Sequence, residues 1–210
     1  AYTEVRFTKN LKFRSQFGVT LNNSLDQNTF DSKSYFYFKN NRTQAYSTSA
    51  WNLSWLNTNI LNYNKEFNKN HRINATAVFE QSYANSYNHQ STAELLAFDL
   101  GYDALAWADK YYVNSQRTIF TLMSGMGRIN YVYRNRYMAT VSYRADGSSR
   151  LKNKWDYFPS CALAWDLAQE GFMKRFKIIN QLKLRTGYGV VGNQAITPYS
   201  IYSQMVPVAN

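Results

Sequence analysis

Cysteine is nearly absent from this chain of 210 residues: Cys161 stands alone. An internal disulfide is therefore excluded. A single Cys among apolar neighbours reads as a small buried or lipid-facing hydrophobe rather than as a nucleophile. Histidine is almost as scarce, with His71 and His89 in polar, Asn-rich surroundings. No His, Cys, Asp or Glu grouping has metal-ligand spacing, so neither a metal nor another cofactor is expected. Only 3 Pro and 9 Gly argue against a disordered or fibrous chain. No apolar run approaches the roughly 18 residues that a spanning helix needs. Acidic residues number 13, and most fall in turn-like stretches. Glycoside hydrolysis needs a facing pair of carboxylates, and Ser and His show no nucleophile setting, so the chain is not expected to be an enzyme.

Aromatics, by contrast, reach 17%, with 18 Tyr, while charged residues are only 18%. The net charge of +11 raises the question of nucleic acid. The Lys and Arg residues are spread singly, often at every second position, without the clustering a phosphate backbone requires. No nucleic-acid partner is expected. The chain opens Ala1-Tyr2-Thr3-Glu4-Val5, with no initiator Met and no signal-peptide pattern, as if in mid-element. It is expected to be a piece of a longer protein.

Alternation dominates the pattern. Leu11, Phe13, Ser15, Phe17, Val19 and Leu21 share one parity; Lys12, Arg14, Gln16, Gly18, Thr20 and Asn22 share the other. A period of two is a strand. About twelve residues at roughly 3.3 Å each span about 40 Å. Tilted by about 45°, such a strand just crosses a hydrocarbon core of about 30 Å. Soluble strands average only about 5–6 residues. A shorter strand precedes it, with Val5 and Phe7 alternating with Arg6 and Thr8 before a turn at Lys9-Asn10.

Residues 51–63 resume the pattern with imperfect phase: Trp51, Leu53 and Trp55 lie on one face, Leu56 and Ile60 on the other, as a bulge allows. Further strands are expected at 71–83 (Ile73, Ala75, Ala77, Phe79), 117–133 (Ile129, Tyr131, Tyr133), 137–144 (Tyr137, Ala139, Val141, Tyr143), 158–167 (Cys161, Leu163, Trp165, Leu167) and 181–191, with another beginning near 201–208. Pro159 is tolerated at a strand start, where no ladder donor is needed. Short links fall at 64–70 and at Arg134-Asn135-Arg136, and a moderate one at 169–180, carrying one helical turn with Phe172 and Phe176. Long polar loops are expected at 23–50, with a short arm at Tyr35 to Phe38, and at 85–116, with helical character over 92–108. A polar loop is also expected at 145–156.

About eight strands, short turns on one side and long loops on the other describe an antiparallel, up-and-down transmembrane β-barrel with periplasmic turns and extracellular loops. Its two interfacial girdles would take Tyr133, Tyr137, Tyr143, Trp51, Tyr63 and Tyr83. Closure would leave no unpaired edge in lipid. A soluble antiparallel β-sandwich, acting as a carbohydrate-binding module, gives the same alternation and stays open at this point.

Six ordered motifs add a resemblance. They are Arg144-Ala-Asp-Gly-Ser-Ser-Arg150, Trp155-Asp-Tyr-Phe-Pro-Ser160, Trp165, Phe172-Met-Lys174, Leu182-Lys-Leu-Arg185 and Tyr188-Gly-Val-Val-Gly-Asn-Gln194. Together they resemble the SusC/RagA family of TonB-dependent outer-membrane transporters of Bacteroidetes-type bacteria. The chain departs from the family pattern at Leu151 (usually Phe), Asp156 and Ala164 (usually Gly) and Cys161 (usually Val), changes that touch the fine shape of the 145–156 loop. The resemblance implies that residues 1–210 form part of a single barrel domain. The whole barrel would have about 22 strands and a plugged lumen, its plug and TonB-contacting segment lying outside this chain. It implies an outer-membrane location and import of oligosaccharides or peptides with a SusD-like lipoprotein, energised through TonB.

On that reading Trp51, Trp107, Trp155 and Tyr157 are candidates for stacking on substrate, beside the simpler role of interfacial anchors or loop packing. Asp146 and Arg150 are a candidate loop ion pair, although Asp-Gly is first of all turn chemistry. Lys12, Arg14, Lys183 and Arg185 would face the lumen, where they attract an anionic substrate or balance carboxylates on other strands.

Overall fold

A computed structural model of the chain describes residues 1–96, 101–150, 154–173 and 180–192. The expected strand at 201–208, Phe176 and part of the 85–116 connection lie outside these residues. The described strands form one sheet in sequence order, with neighbours hydrogen-bonded. They are β1 (Tyr2–Arg6), β2 (Leu11–Phe30), β3 (Gln44–Phe67), β4 (His71–Leu96), β5 (Ala108–Tyr133), β6 (Tyr137–Ser148), β7 (Trp155–Asp166) and β8 (Lys183–Gly189). The paired registers are antiparallel throughout. A sandwich would need a second sheet to bury against. Among the described residues the only buried hydrophobic side chains are Ala45 and Ala93, so the sandwich alternative is set aside. No helix among them is long and apolar enough to cross a membrane.

Within the described residues the expected strands are present, and six of them run further than expected; β6 continues to Ser148 and β7 begins at Trp155, both inside the expected 145–156 loop. β2 continues to Phe30, β3 begins at Gln44, β4 ends at Leu96 and β5 begins at Ala108. Most of the two stretches expected as long loops is therefore strand. The physical reason is that a ladder is held by backbone hydrogen bonds, which polar side chains do not prevent. With Asn, Ser, Thr and Gln on both faces, these extensions carry no period-two signal. β5, with 26 residues, is about 85 Å long at about 3.3 Å per residue. A strand tilted by about 45° needs only about 42 Å to cross the hydrocarbon. The expected short arm is a helix, α1 (Tyr35–Asn40), capped by Ser34, whose Oγ accepts the Tyr37 N–H at 3.2 Å. Among the described residues of 92–108, 92–96 belong to β4 and the helical character is realised as a 3-10 helix over Gly101–Trp107.

The chain divides into two compact units. One comprises Val19–Trp55 and Ala84–Ile119. It is tied by Glu94, which accepts from Arg42 Nη1 at 3.0 Å and Gln44 Nε2 at 3.2 Å. The Leu95 and Leu96 N–H groups bond the Thr43 carbonyl and Oγ1, and Phe30 stacks on Phe36 at 4.7 Å. Gly101 sits at φ +70°, where a Cβ would also press on Thr29 Oγ1 at 3.2 Å.

The other unit comprises Ala1–Gly18, Leu56–Tyr83 and the described residues of Phe120–Asn210. Its registers separate two faces. Ile129, Val141, Cys161 and Tyr188 lie in one cross-strand row, and Tyr131, Ala139, Leu163 and Thr186 in the next. Val141 and Leu163 are 60% exposed, Leu184 59% and Ile129 56%. Large apolar side chains left open in contiguous rows mark a surface made for an apolar medium. Aromatics bound the band. At the turn end His71, Tyr133, Tyr137 and Trp165 follow one another at centroid spacings of 4.8, 6.2 and 6.1 Å. At the other end Tyr157 stacks on Tyr143 at 6.0 Å, and Trp155 lies over Gly147, where a Cβ would meet its ring at 3.1 Å. Trp155 and Trp165 are ten residues apart in β7. At about 3.4 Å per residue and a tilt of about 35–45°, that is about 24–28 Å of height, matching the apolar band of about 25 Å found between girdles.

The turn-end aromatics are fastened by Glu170, just beyond the 3-10 turn Leu167–Gln169. Its carboxylate accepts from the Tyr137 hydroxyl at 2.8 Å, the Trp165 indole N–H at 3.1 Å and Arg136 Nη1 at 3.3 Å. The Tyr137 hydroxyl, then the indole and Arg136, hold this carboxyl below its usual range.

Two outcomes follow for the intact protein. Lys at position 163, mid-band on the apolar face, costs about 2–4 kcal/mol of folding stability in lipid, while Asp166→Asn on the opposite face costs far less; equal urea midpoints for the two variants would refute the facing. A carboxyl whose folded pKa is lowered stabilises above its unfolded pKa, and that contribution fades as pH falls through the folded value. Glu170→Gln should therefore lower stability near neutral pH and flatten its acid-side decline, whereas an unchanged acid profile would remove Glu170 from the fastening.

Candidate functional site

The face opposite the apolar band carries the chemistry. Side chains on a strand alternate, so residues two apart share a face and cross-strand neighbours meet there. On β3 to β6 this brings together amides and hydroxyls. The Asn74 amide donates to Asn64, Asn130 Nδ2 to Asn74 Oδ1 at 3.3 Å, and Thr140 Oγ1 to Asn130 Oδ1 at 2.9 Å. Because an amide both donates and accepts, the chain of bonds crosses four strands without a break. Beside it Thr76 bonds Asn62 at 2.9 Å, Thr58 bonds Glu80 at 3.2 Å, and the Ser142 and Ser160 hydroxyls meet at 2.6 Å.

Further along the same face lies the best-enclosed charged group among the described residues. Asp146 is 5% exposed. Arg144 Nε donates to both of its oxygens, at 2.7 and 2.9 Å, and Arg144 Nη2 to Ser124 Oγ at 3.3 Å. The ion pair at Asp146 is thus with Arg144, two residues back in β6 and on the same face. Arg150, the partner expected from the sequence, places its guanidinium 4.0 Å over the Phe120 ring. The Asp-Gly step reads as a turn in sequence, yet β6 runs through it to Ser148; strand parity then selects Arg144. Arg128, Ser142, Arg144, Asp146, Phe158 and Ser160 line an open hollow of about 520 Å³ on this face.

The other candidates are distributed. Lys12 Nζ pairs with Glu4 at 2.9 Å. Arg14 lies 4.2 Å over the Tyr2 ring and donates to Gln16 at 3.3 Å. Lys183 is registered with Asp166 and Arg185 with Ala164, both on the polar side of β7. Trp155 and Tyr157 alternate in β7 with Asp156 and Phe158, in step with Cys161 and Leu163 on the apolar face. Trp51 lies within β3, 37% exposed, and Trp107 ends the 3-10 helix, 66% exposed. Sequence reading missed the amide ladder and Arg128. The usable signal was parity: Asn62 and Asn64 against Asn74 and Thr76, across one hairpin.

No family model matches the chain. It is 35% identical over 203 residues to the TonB-dependent receptor P26 of Formosa agariphila, covering 89% of this chain and 19% of that protein. It is 44% identical over 92 residues to the TonB-dependent receptor SusC of Bacteroides thetaiotaomicron, covering 43% of this chain and 9% of that protein. Among solved structures, the RagAB peptide transporter superposes with a TM-score of 0.81 at 19% identity, over 93% of this chain and 22% of that chain. The chain therefore spans only a small part of the length of the relatives it matches.

The Arg144–Asp146–Ser124 group predicts that Asp146→Ala, which leaves a partly exposed guanidinium without its carboxylate, costs the intact protein about 1–2 kcal/mol. Urea unfolding measures this, and a midpoint unchanged from wild type would show that the fork adds nothing.

Proposed function

Since the chain is a wall segment of a SusC-like TonB-dependent receptor, a β-barrel of the outer membrane, we propose that it serves the active import of a polar oligomeric nutrient, an oligosaccharide or a peptide. The observation that carries this reading is the division of the faces. One face is a band about 25 Å tall without a charged side chain between its aromatic borders. The other is a hydrogen-bonded wall of Asn, Thr and Ser with Arg128, Arg144 and Asp146 beside it. An uncharged, hydroxyl- or amide-rich cargo exchanges its water for such a wall at little cost, because donors and acceptors match.

Lys12, Arg14, Lys183 and Arg185 contribute to the lumen's positive wall. Their long side chains position charge without closing the passage. Trp107, at the end of its helix and the most exposed of the four candidate aromatics, is the one of them best placed to stack on a sugar ring. Trp51, Trp155 and Tyr157 serve as interfacial anchors. A SusD-like lipoprotein caps the extracellular mouth, and TonB delivers energy through parts of the protein outside this chain. Lipid is the partner of the apolar band.

The test is uptake by cells carrying the intact protein, supplied with labelled oligosaccharides and labelled oligopeptides. Import of one class should stop when an uncoupler collapses the inner-membrane proton gradient. Uptake insensitive to the uncoupler, or no receptor-dependent uptake of either class, would overturn the proposal.

A further inference from the structure

The turn end of the apolar band carries cations that the import function does not use. Two adjacent hairpins are involved, held together by the Arg134 N–H donating to the Asn70 carbonyl at 2.7 Å. On the outward face Lys65 Nζ lies 4.6 Å over the Phe67 ring, and the Arg134 guanidinium lies 5.1 Å over the Tyr133 ring. His71 stands between them, 4.8 Å from Tyr133, its Nδ1 hydrogen-bonded to the Tyr131 hydroxyl at 2.6 Å. Lys69 is exposed in the first of the two turns. Among the described residues none of Lys65, Lys69 and Arg134 pairs with a carboxylate; the nearby Glu170 is taken by Arg136, Tyr137 and Trp165.

The backbone supplies a second, independent observation. Asn68 and Lys69 have φ of 49° and 59°, Arg134 and Asn135 of 50° and 56°. Left-handed backbone suits Asn and Gly; a long side chain there carries a conformational cost. Each turn nonetheless spends one of its two left-handed positions on a cation. Strain retained in this way points to use of the side chain.

We propose that Lys65, Lys69 and Arg134 form a binding rim for the phosphate of an anionic phospholipid in the leaflet at the turn side of the membrane. The aromatic rings hold the cations at the depth of the headgroups, where Tyr, Trp and His sit with one end in hydrocarbon and the other in water. Clustered cations at that depth favour anionic over zwitterionic headgroups. A lipid occupant, rather than free phosphate, fits the apolar rows of Tyr131, Ala139 and Leu163 that continue from the rim into the band. The inference rests on the outer-membrane placement and is independent of the cargo, so failure of the uptake experiment leaves it standing.

The intact receptor, purified in detergent, is titrated with dioleoyl phosphatidylglycerol or dioleoyl phosphatidylcholine, and bound lipids are counted by native mass spectrometry. Phosphatidylglycerol should be retained in preference, by about fivefold for each cation that contributes. Lys69→Asn and Arg134→Asn remove charge while keeping a residue that accepts the left-handed backbone, and Lys65→Gln leaves both turns untouched. The combined variant should bind the two lipids equally, and Lys65→Gln alone should show an intermediate preference, with the heat-resistant folded band intact on gels for both. Equal retention of the two lipids by wild type, an undiminished preference in both folded variants, or full competition by inorganic phosphate would each overturn the proposal.

Discussion

A strand in hydrocarbon has no water to satisfy its N–H and C=O groups, so every one must find a partner on a neighbouring strand. The rest of this chain's organisation depends on that requirement. It explains the sequential order of the eight strands, in which each strand pairs with the next along the chain. It explains turns as tight as the one closed by the Arg136 N–H on the Tyr133 carbonyl at 2.9 Å. It also explains how a sheet can form when the buried apolar side chains among the described residues are only Ala45 and Ala93. The hydrophobic effect acts here through the medium outside the sheet, and hydrogen bonding holds the sheet itself.

Once the ladder is fixed, the two faces diverge in chemistry. On the apolar side the side chains need no partners beyond lipid and their neighbours in the row. On the polar side they partner one another. The Asn64, Asn74, Asn130 and Thr140 chain and the Arg144 fork on Asp146 satisfy donors locally and still leave lone pairs and N–H groups for other partners. Cross-strand pairs of this kind contribute only tenths of a kcal/mol to about 1 kcal/mol each, so the polar face adds less to stability than to the character of the surface offered to a solute.

The sequence made the banded part of the fold readable because there the two faces meet different media. Tyr137 to Tyr143 and Cys161 to Trp165 alternate in step with the cross-strand rows, and the turn at Arg134-Asn135-Arg136 stands where the pattern breaks. Where strands pass between two aqueous faces the signal vanishes, which is why residues 24–30, 85–96 and 108–116 look like loop and are strand. β3 runs from Gln44 to Phe67 through the irregular phase of 51–63, where Asn59 bonds Asn57 at 2.6 Å and Ser15 at 2.8 Å. Asp146 shows a related effect: its Asp-Gly step looks like a turn, and because the strand runs through it, parity joins Asp146 to Arg144.

The polar extensions of β2 to β5 have a consequence for how such proteins change over time. Within the band, inserting one residue would turn every following side chain to the opposite medium, so length there is frozen except in steps of two. In the stretch from Asp109 to Gln116 and its counterparts, both faces are wet and neither parity is favoured. Insertions of one, two or three residues are equivalent there. These stretches are thus free to lengthen, shorten and diversify while the banded residues keep their register.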